Sequence, residues 1–218
     1  MSRFAAFIGA IATALGTWGL ISRPSSGVPA EIPGAPRSST PTPRQRPAAT
    51  VAPASFNPPT QSARGRLSFN EAKALALKIT RTYFPSVDPK MLVAMMQIES
   101  SFDPRATRSE PHVRNRFTTN GDKSYGLMQV LYTTALDLFH NMGRKGFSVA
   151  TPDRLFDPTV NVYFGAAYVA WLQNYRGTRR SEDWIVMSYN GGPGANNSQT
   201  QNHLAKYHDA KRAQAGGW

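Results

Sequence analysis

A glutamate stands in the apolar face of a predicted helix. Leu92, Met95 and Met96 follow the spacing of a helical core face, and the next position in that series is Glu99. Burial disfavours the ionised form of a carboxyl group, and a general acid must keep its proton until the reaction needs it. The pattern therefore indicates Glu99 as a candidate acid catalyst. Spacing alone also allows an ordinary helix end, at which the glutamate faces water or pairs with an arginine.

Local signals predict the helices that would position this residue. Ser68 with Glu71 forms a capping box that opens a first helix. Asp88-Pro89 opens the second helix, which runs to about Ser100 and carries Glu99, and Asp157-Pro158 opens a third. Tyr168, Trp171 and Tyr175 continue the apolar face of the third helix, so we interpret them as core residues rather than as an exposed platform on which a ligand could stack. Weaker patterns predict helices at 127–139, 181–189 and 197–213.

One short segment predicts β-structure. Asn120-Gly121 lies between threonine and aromatic residues in the stretch 116–125, which is typical of a β-hairpin. The chain shows no internal repeat, no heptad pattern and no alternating series of strands. We therefore expect a mainly helical domain with a single small hairpin.

Composition divides the chain into three parts. Ten of the 17 prolines lie between Pro24 and Pro59, in a stretch with few large apolar side chains. Such a stretch cannot bury enough surface to offset the entropy of ordering, so residues 24–66 are predicted to be a disordered linker. Residues 67–218 have the mixed composition of a globular domain. Residues 1–23 form the third part.

The first part contains an uncharged apolar run at 4–21, flanked by Arg3 and Arg23. A helix of this length, about 27 Å at roughly 1.5 Å per residue, marginally crosses a bilayer core. We predict a signal anchor that holds the chain in a membrane, or a cleaved signal peptide with Ala30 near the cleavage site.

Charge and residue types limit the partners. The net charge is +12, from 25 Lys and Arg against 13 Asp and Glu, which favours contact with nucleic acid, acidic lipid or the carboxylates of a cell wall. The absence of cysteine excludes disulfides and thiolate chemistry. His203 and His208 are not spaced for one helix face, and we predict no metal site and no cofactor.

Four blocks of sequence resemble the soluble lytic transglycosylase family, in the order that the family has them. They are ESSFDPRA at 99–106, YGLMQV at 125–130, LFDPTVNV at 155–162 and SYNGGPG at 188–194. The resemblance covers roughly residues 85–210. It implies a mainly α, goose-type lysozyme-like domain with two lobes, a small hairpin and a glycan groove between the lobes.

The resemblance also implies roles for individual residues. Glu99 matches the catalytic acid and base of the family, and five other positions match residues that line the groove or contact substrate. The segment between Ala106 and Tyr125 is longer than is usual in the family, and Tyr132 stands where the family commonly has proline. The five matching positions are Ser100, Met128, Gln129, Tyr189 and Asn190.

The resemblance further implies a reaction with a single carboxylate. Ordinary glycosidases use two, and four other carboxylates are available, but none falls at a catalytic position of the family. The implied activity is a peptidoglycan lytic transglycosylase that cleaves the MurNAc-GlcNAc β-1,4 bond and forms 1,6-anhydro-MurNAc. The four other carboxylates belong to Asp103, Glu110, Asp122 and Asp157.

Two alternatives stay open beside this activity, a hydrolysing muramidase on the same fold and a non-catalytic peptidoglycan-binding component of an envelope or virion assembly. A nucleic-acid-binding protein is suggested by charge alone, and no DNA- or RNA-binding motif is present. We expect a monomer whose partners are glycan strands and, through residues 1–23, a membrane. The catalytic domain would lie on the cell-wall side in the periplasm, on a virion-associated membrane protein, or in a secreted form after cleavage.

Overall fold

A computed structural model describes residues 65–111, 113 and 121–218. The predicted anchor at 1–23 and residues 24–64 of the predicted linker lie outside the described residues. Within the described part, no helix is both long enough and apolar enough to cross a membrane.

The described residues form a mainly helical fold, which confirms the predicted fold class. A hydrophobic core lies between the helices, with side chains such as Leu92, Phe164 and Tyr207 almost without exposed surface. The helices are α1 (Phe69–Tyr83), α2 (Pro89–Ser100), α3 (Tyr132–His140), α4 (Pro158–Gln173), α5 (Glu182–Gly191) and α6 (Ser198–Ala213).

The predicted helix starts are confirmed by their caps. The Ser68 side chain accepts a hydrogen bond from the backbone N–H of Glu71, and the Glu71 carboxylate accepts one from the backbone N–H of Ser68 in return. Side chains also cap α2, α4, α5 and α6, where orphan N–H groups would otherwise lack partners. The capping residues are Asp88, Asp157, Ser181 and Asn197.

Helix α4 lies at the centre of the fold, and its burial differs from the sequence prediction. Twelve of its residues are buried, on every side of the helix, because α1, α3 and α5 all pack against it. The prediction of one apolar face was therefore too narrow. The helix also ends at Gln173, and Tyr175 lies in a short 3-10 turn, Tyr175–Gly177, beyond it.

Three short antiparallel strands form the sheet: β1 (Thr107–Glu110), β2 (Asp122–Tyr125) and β3 (Val130–Leu131). In the β1–β2 pair, Glu110 lies opposite Asp122. The small antiparallel hairpin expected for the fold is thus present, formed by β1 and β2. Both edges of β2 are occupied by β1 and β3, and residues 114–120 lie outside the described residues.

Helix α3 begins later than the predicted residue 127, because a turn follows β2. Gly126 and Gln129 both have left-handed backbone conformations, with φ values of 70° and 46°, which interrupt a helix. Residues 127–131 therefore form a turn and β3 before α3 begins at Tyr132. The buried Asp122 carboxylate accepts hydrogen bonds from the N–H and hydroxyl of Thr133, so a residue of β2 caps α3.

Candidate active site

Glu99 lies in the last turn of α2, with its side chain turned inward as its place in the apolar series predicts. Only 6% of the side chain is exposed. Among the described residues it makes no hydrogen bond, and its one ionic contact joins Oε1 to Nε2 of His203 at 3.3 Å. A buried carboxyl group that lacks hydrogen-bond donors is costly for the stability of a fold, so this position is not explained by stability.

The backbone leaves α2 sharply just after Glu99. Ser101 and Phe102 both adopt left-handed conformations, with φ values of 53° and 62°, which non-glycine residues seldom adopt. The backbone N–H of Ser101 donates to Gln97, and the N–H of Leu67 donates to Phe102 and anchors the bend. Strained backbone of this kind clusters at functional sites. The fold thus accepts strain to end the helix one residue after Glu99.

Ser100 ties the end of α2 to the turn between β2 and β3. Its hydroxyl lies 2.8 Å from the carbonyl oxygen of Leu127 and 3.1 Å from that of Met96. The turn residues are therefore held beside Glu99. The predicted contact between Ser100 and substrate stays a prediction, since the hydroxyl already has partners within the protein.

The next two predicted groove residues have structural contacts. Met128 has no exposed surface, so its side chain does not line a groove in this structure, and its N–H donates to Asn161 at 2.8 Å. The Gln129 amide accepts from Ser124 and donates to the carbonyl groups of Ala106 and Gly126. Both residues thus shape the turn behind Glu99, and their contact with substrate stays a prediction.

Tyr189 extends from α5 towards the same turn. Its hydroxyl donates to the carbonyl oxygen of Met128 at 2.9 Å. Burial, and secondarily the negative charge of Glu99, raise the pKa of Tyr189 well above its usual range. The tyrosine is therefore a neutral hydroxyl within electrostatic reach of Glu99. Asn190 is half-buried and accepts a hydrogen bond from Gln199 at 3.3 Å, which links α5 to α6.

Comparison with known families agrees with this arrangement. The family described as "Transglycosylase SLT domain" matches residues 77–211, which include Glu99, the turn at 126–129 and Tyr189. The chain belongs to this SLT domain family.

Two solved structures resemble this SLT domain. One is the 70 kDa soluble lytic transglycosylase of Escherichia coli, with 21% identity, a TM-score of 0.42, and coverage of 67% of this chain and 20% of that one. The other is an inactive mutant of the lytic transglycosylase Slt of Pseudomonas aeruginosa, with 19% identity, a TM-score of 0.42, and coverage of 64% and 21%. The chain thus spans about a fifth of the length of either protein.

Four other carboxylates of the SLT domain have partners elsewhere. Asp157 caps α4, and Asp122 is held by Thr133. Glu110 lies 2.6 Å from Nε of Arg108, and Asp103 accepts from the N–H of Arg105 at 2.8 Å. Each of these carboxylates stabilises a turn, a strand or a helix end. Glu99 differs from all four because, among the residues that the structure describes, its carboxyl group makes no hydrogen bond and contacts only His203 as an ionic partner.

His203 is the residue that the sequence analysis missed. Its side chain is 11% exposed, and Nε2 has no aligned hydrogen bond within the described residues although Glu99 lies 3.3 Å away. In the sequence the histidines bear only on metal binding, and the described residues hold no group of three possible metal ligands. No local pattern joins α6 to α2, so only the packing of the two helices could bring this contact to light.

Aromatic side chains support Tyr189 from behind. The Tyr168 ring packs against Tyr189 at 5.3 Å and stacks on Trp171 at 5.6 Å, with 15° between the latter two planes. Tyr168 and Trp171 are both partly buried and join the core cluster. This packing favours the interpretation of these residues as core, and it fixes the position of the Tyr189 ring.

Proposed function

We propose that this SLT domain is a peptidoglycan lytic transglycosylase that cleaves the MurNAc-GlcNAc β-1,4 bond and forms 1,6-anhydro-MurNAc. The observation that carries the proposal is the environment of Glu99, which is almost buried, has no hydrogen-bond donor in the part of the chain that the structure describes, and lies within electrostatic reach of the neutral hydroxyl of Tyr189. Membership of the SLT domain family supports the same substrate class.

In the first step, protonated Glu99 donates its proton to the oxygen that links MurNAc to GlcNAc. The bond between this oxygen and the anomeric carbon of MurNAc breaks, and the GlcNAc side leaves as an alcohol. The carbonyl oxygen of the MurNAc acetamido group stabilises the positive charge at the anomeric carbon. The substrate thus supplies the group that a second carboxylate supplies in ordinary retaining glycosidases.

In the second step, ionised Glu99 accepts the proton of the 6-hydroxyl of the same MurNAc. The oxygen of that hydroxyl bonds to the anomeric carbon, which closes the 1,6-anhydro ring and releases the acetamido group. Glu99 ends the cycle protonated, as it began. Water is not a reactant, so no further base is needed to activate it.

Tyr189 is suited to orient groups around Glu99. Its proton is committed to the carbonyl oxygen of Met128, so its oxygen lone pairs remain free to accept a hydrogen bond. The raised pKa keeps it neutral, which avoids a second negative charge beside the carboxylate. We also propose that Ser100, Gln129 and Asn190 contact the substrate.

The proposed location of the protein is the membrane that adjoins the cell wall. We propose that residues 1–23 anchor the chain in a membrane and that the catalytic domain acts on the cell-wall side, to open the wall locally during growth, secretion or phage entry. The net charge of +12 supports attraction to the carboxylates of wall polymers.

Mass spectrometry of the muropeptides released from purified peptidoglycan tests the activity. The full chain should release products that end in 1,6-anhydro-MurNAc, each lighter by one water molecule than the hydrolysed product. The Glu99→Gln variant should release at most traces of them, because glutamine cannot exchange the proton.

The other outcomes separate the alternatives. Products with free reducing ends would identify a hydrolysing muramidase. Binding to peptidoglycan without any release of product, by the wild-type chain, would favour a non-catalytic component of an envelope or virion assembly. Either result would overturn the transglycosylase proposal.

A further inference from the structure

Two buried polar groups face each other where α6 packs on α2. Oε1 of Glu99 and Nε2 of His203 lie 3.3 Å apart, and 6% and 11% of their side chains are exposed. Nε2 has almost no exposed surface and no hydrogen bond of good geometry within the described residues. Buried polar atoms are seldom left without a partner, because the water that they lose must be replaced. Each of these two groups is therefore the nearest partner of the other.

The contact can become an aligned hydrogen bond without any movement of the backbone. The last torsion of a glutamate side chain and the ring torsion of a histidine are both broad, so either group can rotate at little cost. An imidazole carries a hydrogen on Nε2 in its protonated form and in one of its two neutral tautomers. We propose that His203 is a positioning residue whose Nε2–H donates to Oε1 of Glu99 and so turns Oε2 towards the substrate. The inference rests on the proposed function of Glu99 as acid and base.

Helix α6 is tied to its neighbours beyond His203. Tyr207 lies one turn further along the same face of α6, and its hydroxyl donates to Glu182 at 2.7 Å. At the end of the helix the Gln214 side chain donates to Gln97 of α2 at 2.5 Å. A group that orients a catalytic side chain must itself be held in place, and these contacts hold the helix that carries His203.

The other hydroxyl groups around Glu99 cannot take this role. Tyr189 donates to a carbonyl oxygen of the turn at 126–129, at 2.9 Å. The Ser100 hydroxyl lies 2.8 Å from another carbonyl oxygen of the same turn. The hydrogens of both groups are thus committed to the backbone. In the part of the chain that the structure describes, His203 is the donor that remains for Glu99.

A fixed Oε1 assigns both proton transfers to the other oxygen of Glu99. In the first step, Oε2 carries the proton that passes to the oxygen between MurNAc and GlcNAc. In the second step, Oε2 accepts the proton of the 6-hydroxyl, while Oε1 still accepts from His203. His203 keeps its hydrogen throughout and acts as neither acid nor base. It restricts rotation of the carboxyl group, and a small misplacement of a reacting group can lower a rate by about a hundredfold.

Kinetics of three full-chain variants on soluble glycan fragments of peptidoglycan test this role. His203→Leu removes the donor, whereas His203→Gln keeps an N–H donor close to the place of Nε2. His208→Leu is the matched control. His208 lies on the same helix and contacts Asp183 at 3.1 Å, but 39% of its side chain is exposed.

The expected result is a loss in kcat that the conservative variant largely restores. His203→Leu should lower kcat roughly tenfold to a hundredfold and leave KM within about twofold of the wild type, because the glycan still binds but the carboxyl group is misaligned. His203→Gln should stay within about threefold of the wild-type kcat, and His208→Leu should match the wild type. Wild-type kcat in His203→Leu would overturn the proposal, and so would an equal loss in His203→Gln.

Nuclear magnetic resonance of the full chain provides a readout that does not depend on activity. The Nε2–H signal of His203 should be visible in the wild type, because burial and a hydrogen bond slow its exchange with water. In Glu99→Leu, which removes the acceptor, the signal should shift or disappear. A missing signal in the wild type, or one that is unchanged in Glu99→Leu, would overturn the hydrogen bond even if the enzyme cleaves peptidoglycan. A signal that depends on Glu99 in a chain without lytic activity would support the hydrogen bond and count only against the proposed function.

Discussion

Two glutamates, Glu182 and Glu99, contact helix α6, and they differ in their hydrogen-bond partners and in their exposure to solvent. Glu182 contacts the second half of α6 through Lys211, at 2.6 and 2.8 Å, and through the hydroxyl of Tyr207, at 2.7 Å. Glu99 meets the first half of the same helix with a single contact to His203 at 3.3 Å. The side chain of Glu182 is 37% exposed, whereas that of Glu99 is 6% exposed.

The difference shows what each carboxylate contributes. Burial would raise the pKa of Glu182, but hydrogen bonds from Lys211 and Tyr207 outweigh it and lower the pKa. Glu182 is therefore committed to its ionised form and to stability. Glu99 has no comparable donors among the described residues and lies at the C-terminal end of α2, where the helix dipole disfavours negative charge. The better-paired glutamate holds the fold together, and the poorly paired one is the candidate for chemistry.

The largest expected effect is the loss of activity when Glu99 is replaced by glutamine. Glu99→Gln should lower kcat/KM by roughly a thousandfold, the scale of general acid and base catalysis. Its free energy of unfolding should not fall, because glutamine is close in size to glutamic acid and places no charge at this buried position. Kinetic assays with urea unfolding of the same samples would measure both effects. Equal activity in Glu99→Gln and wild type would contradict the catalytic role of Glu99.

Removal of the hydroxyl group should lower kcat/KM more at Tyr189, beside Glu99, than at Tyr207, beside Glu182. Tyr189→Phe removes the neutral hydroxyl near Glu99, and kcat/KM should fall roughly tenfold to a hundredfold, or about 1.4 to 2.7 kcal/mol. Tyr207→Phe removes a donor to Glu182, and kcat/KM should stay within about twofold of the wild type. If Tyr207→Phe lost more activity than Tyr189→Phe at equal stability, the division of roles would be wrong.

Glu182→Gln should lower stability without a matching loss of activity. Loss of the contact with Lys211 should cost about 1 kcal/mol of unfolding free energy, a modest value because the pair is partly exposed to solvent. The kcat/KM value should stay within about twofold of the wild type. Urea unfolding at neutral pH measures the first effect. Unchanged stability would show that the ion pair contributes nothing in solution.

The smallest expected effect concerns pH. The folded pKa of Glu182 is lowered, so its contribution to stability is present above the ordinary glutamate value of 4.5 and is lost as pH falls below it. The stability difference between wild type and Glu182→Gln should therefore shrink between about pH 4.5 and 3. Unfolding curves at several pH values would test this. A difference that grows under acid conditions would contradict the lowered pKa.

Local chemistry made much of the fold predictable. Three helix starts were predictable from sequence alone, because the capping contacts that mark them lie within one helical turn. They are Ser68 with Glu71, Asp88-Pro89 and Asp157-Pro158. Glu99 was visible for a similar reason, since its helical register places it in the apolar series. Family resemblance then added Tyr189, whose position on α5 carries no catalytic signal by itself.

Contacts between distant segments were not predictable in the same way. The pairing of β1 with β2 joins segments separated by a long connection, and no local signal predicts β1 as the partner of β2. Asp122 caps a helix that begins after the next strand, and His203 reaches Glu99 only because α6 packs on α2. Such contacts depend on the packing of whole elements, which local periodicity does not encode.

Digestion in water enriched in the heavy oxygen isotope most directly tests the claim that Glu99 takes its second proton from the 6-hydroxyl of MurNAc and not from water. Because the oxygen of that hydroxyl closes the ring, the muramic acid released by the full chain should carry no heavy oxygen at its anomeric carbon and should be lighter than the hydrolysed product by one water molecule. Muramic acid with one heavy oxygen at that carbon would show that water attacks it and would contradict the anhydro-forming reaction.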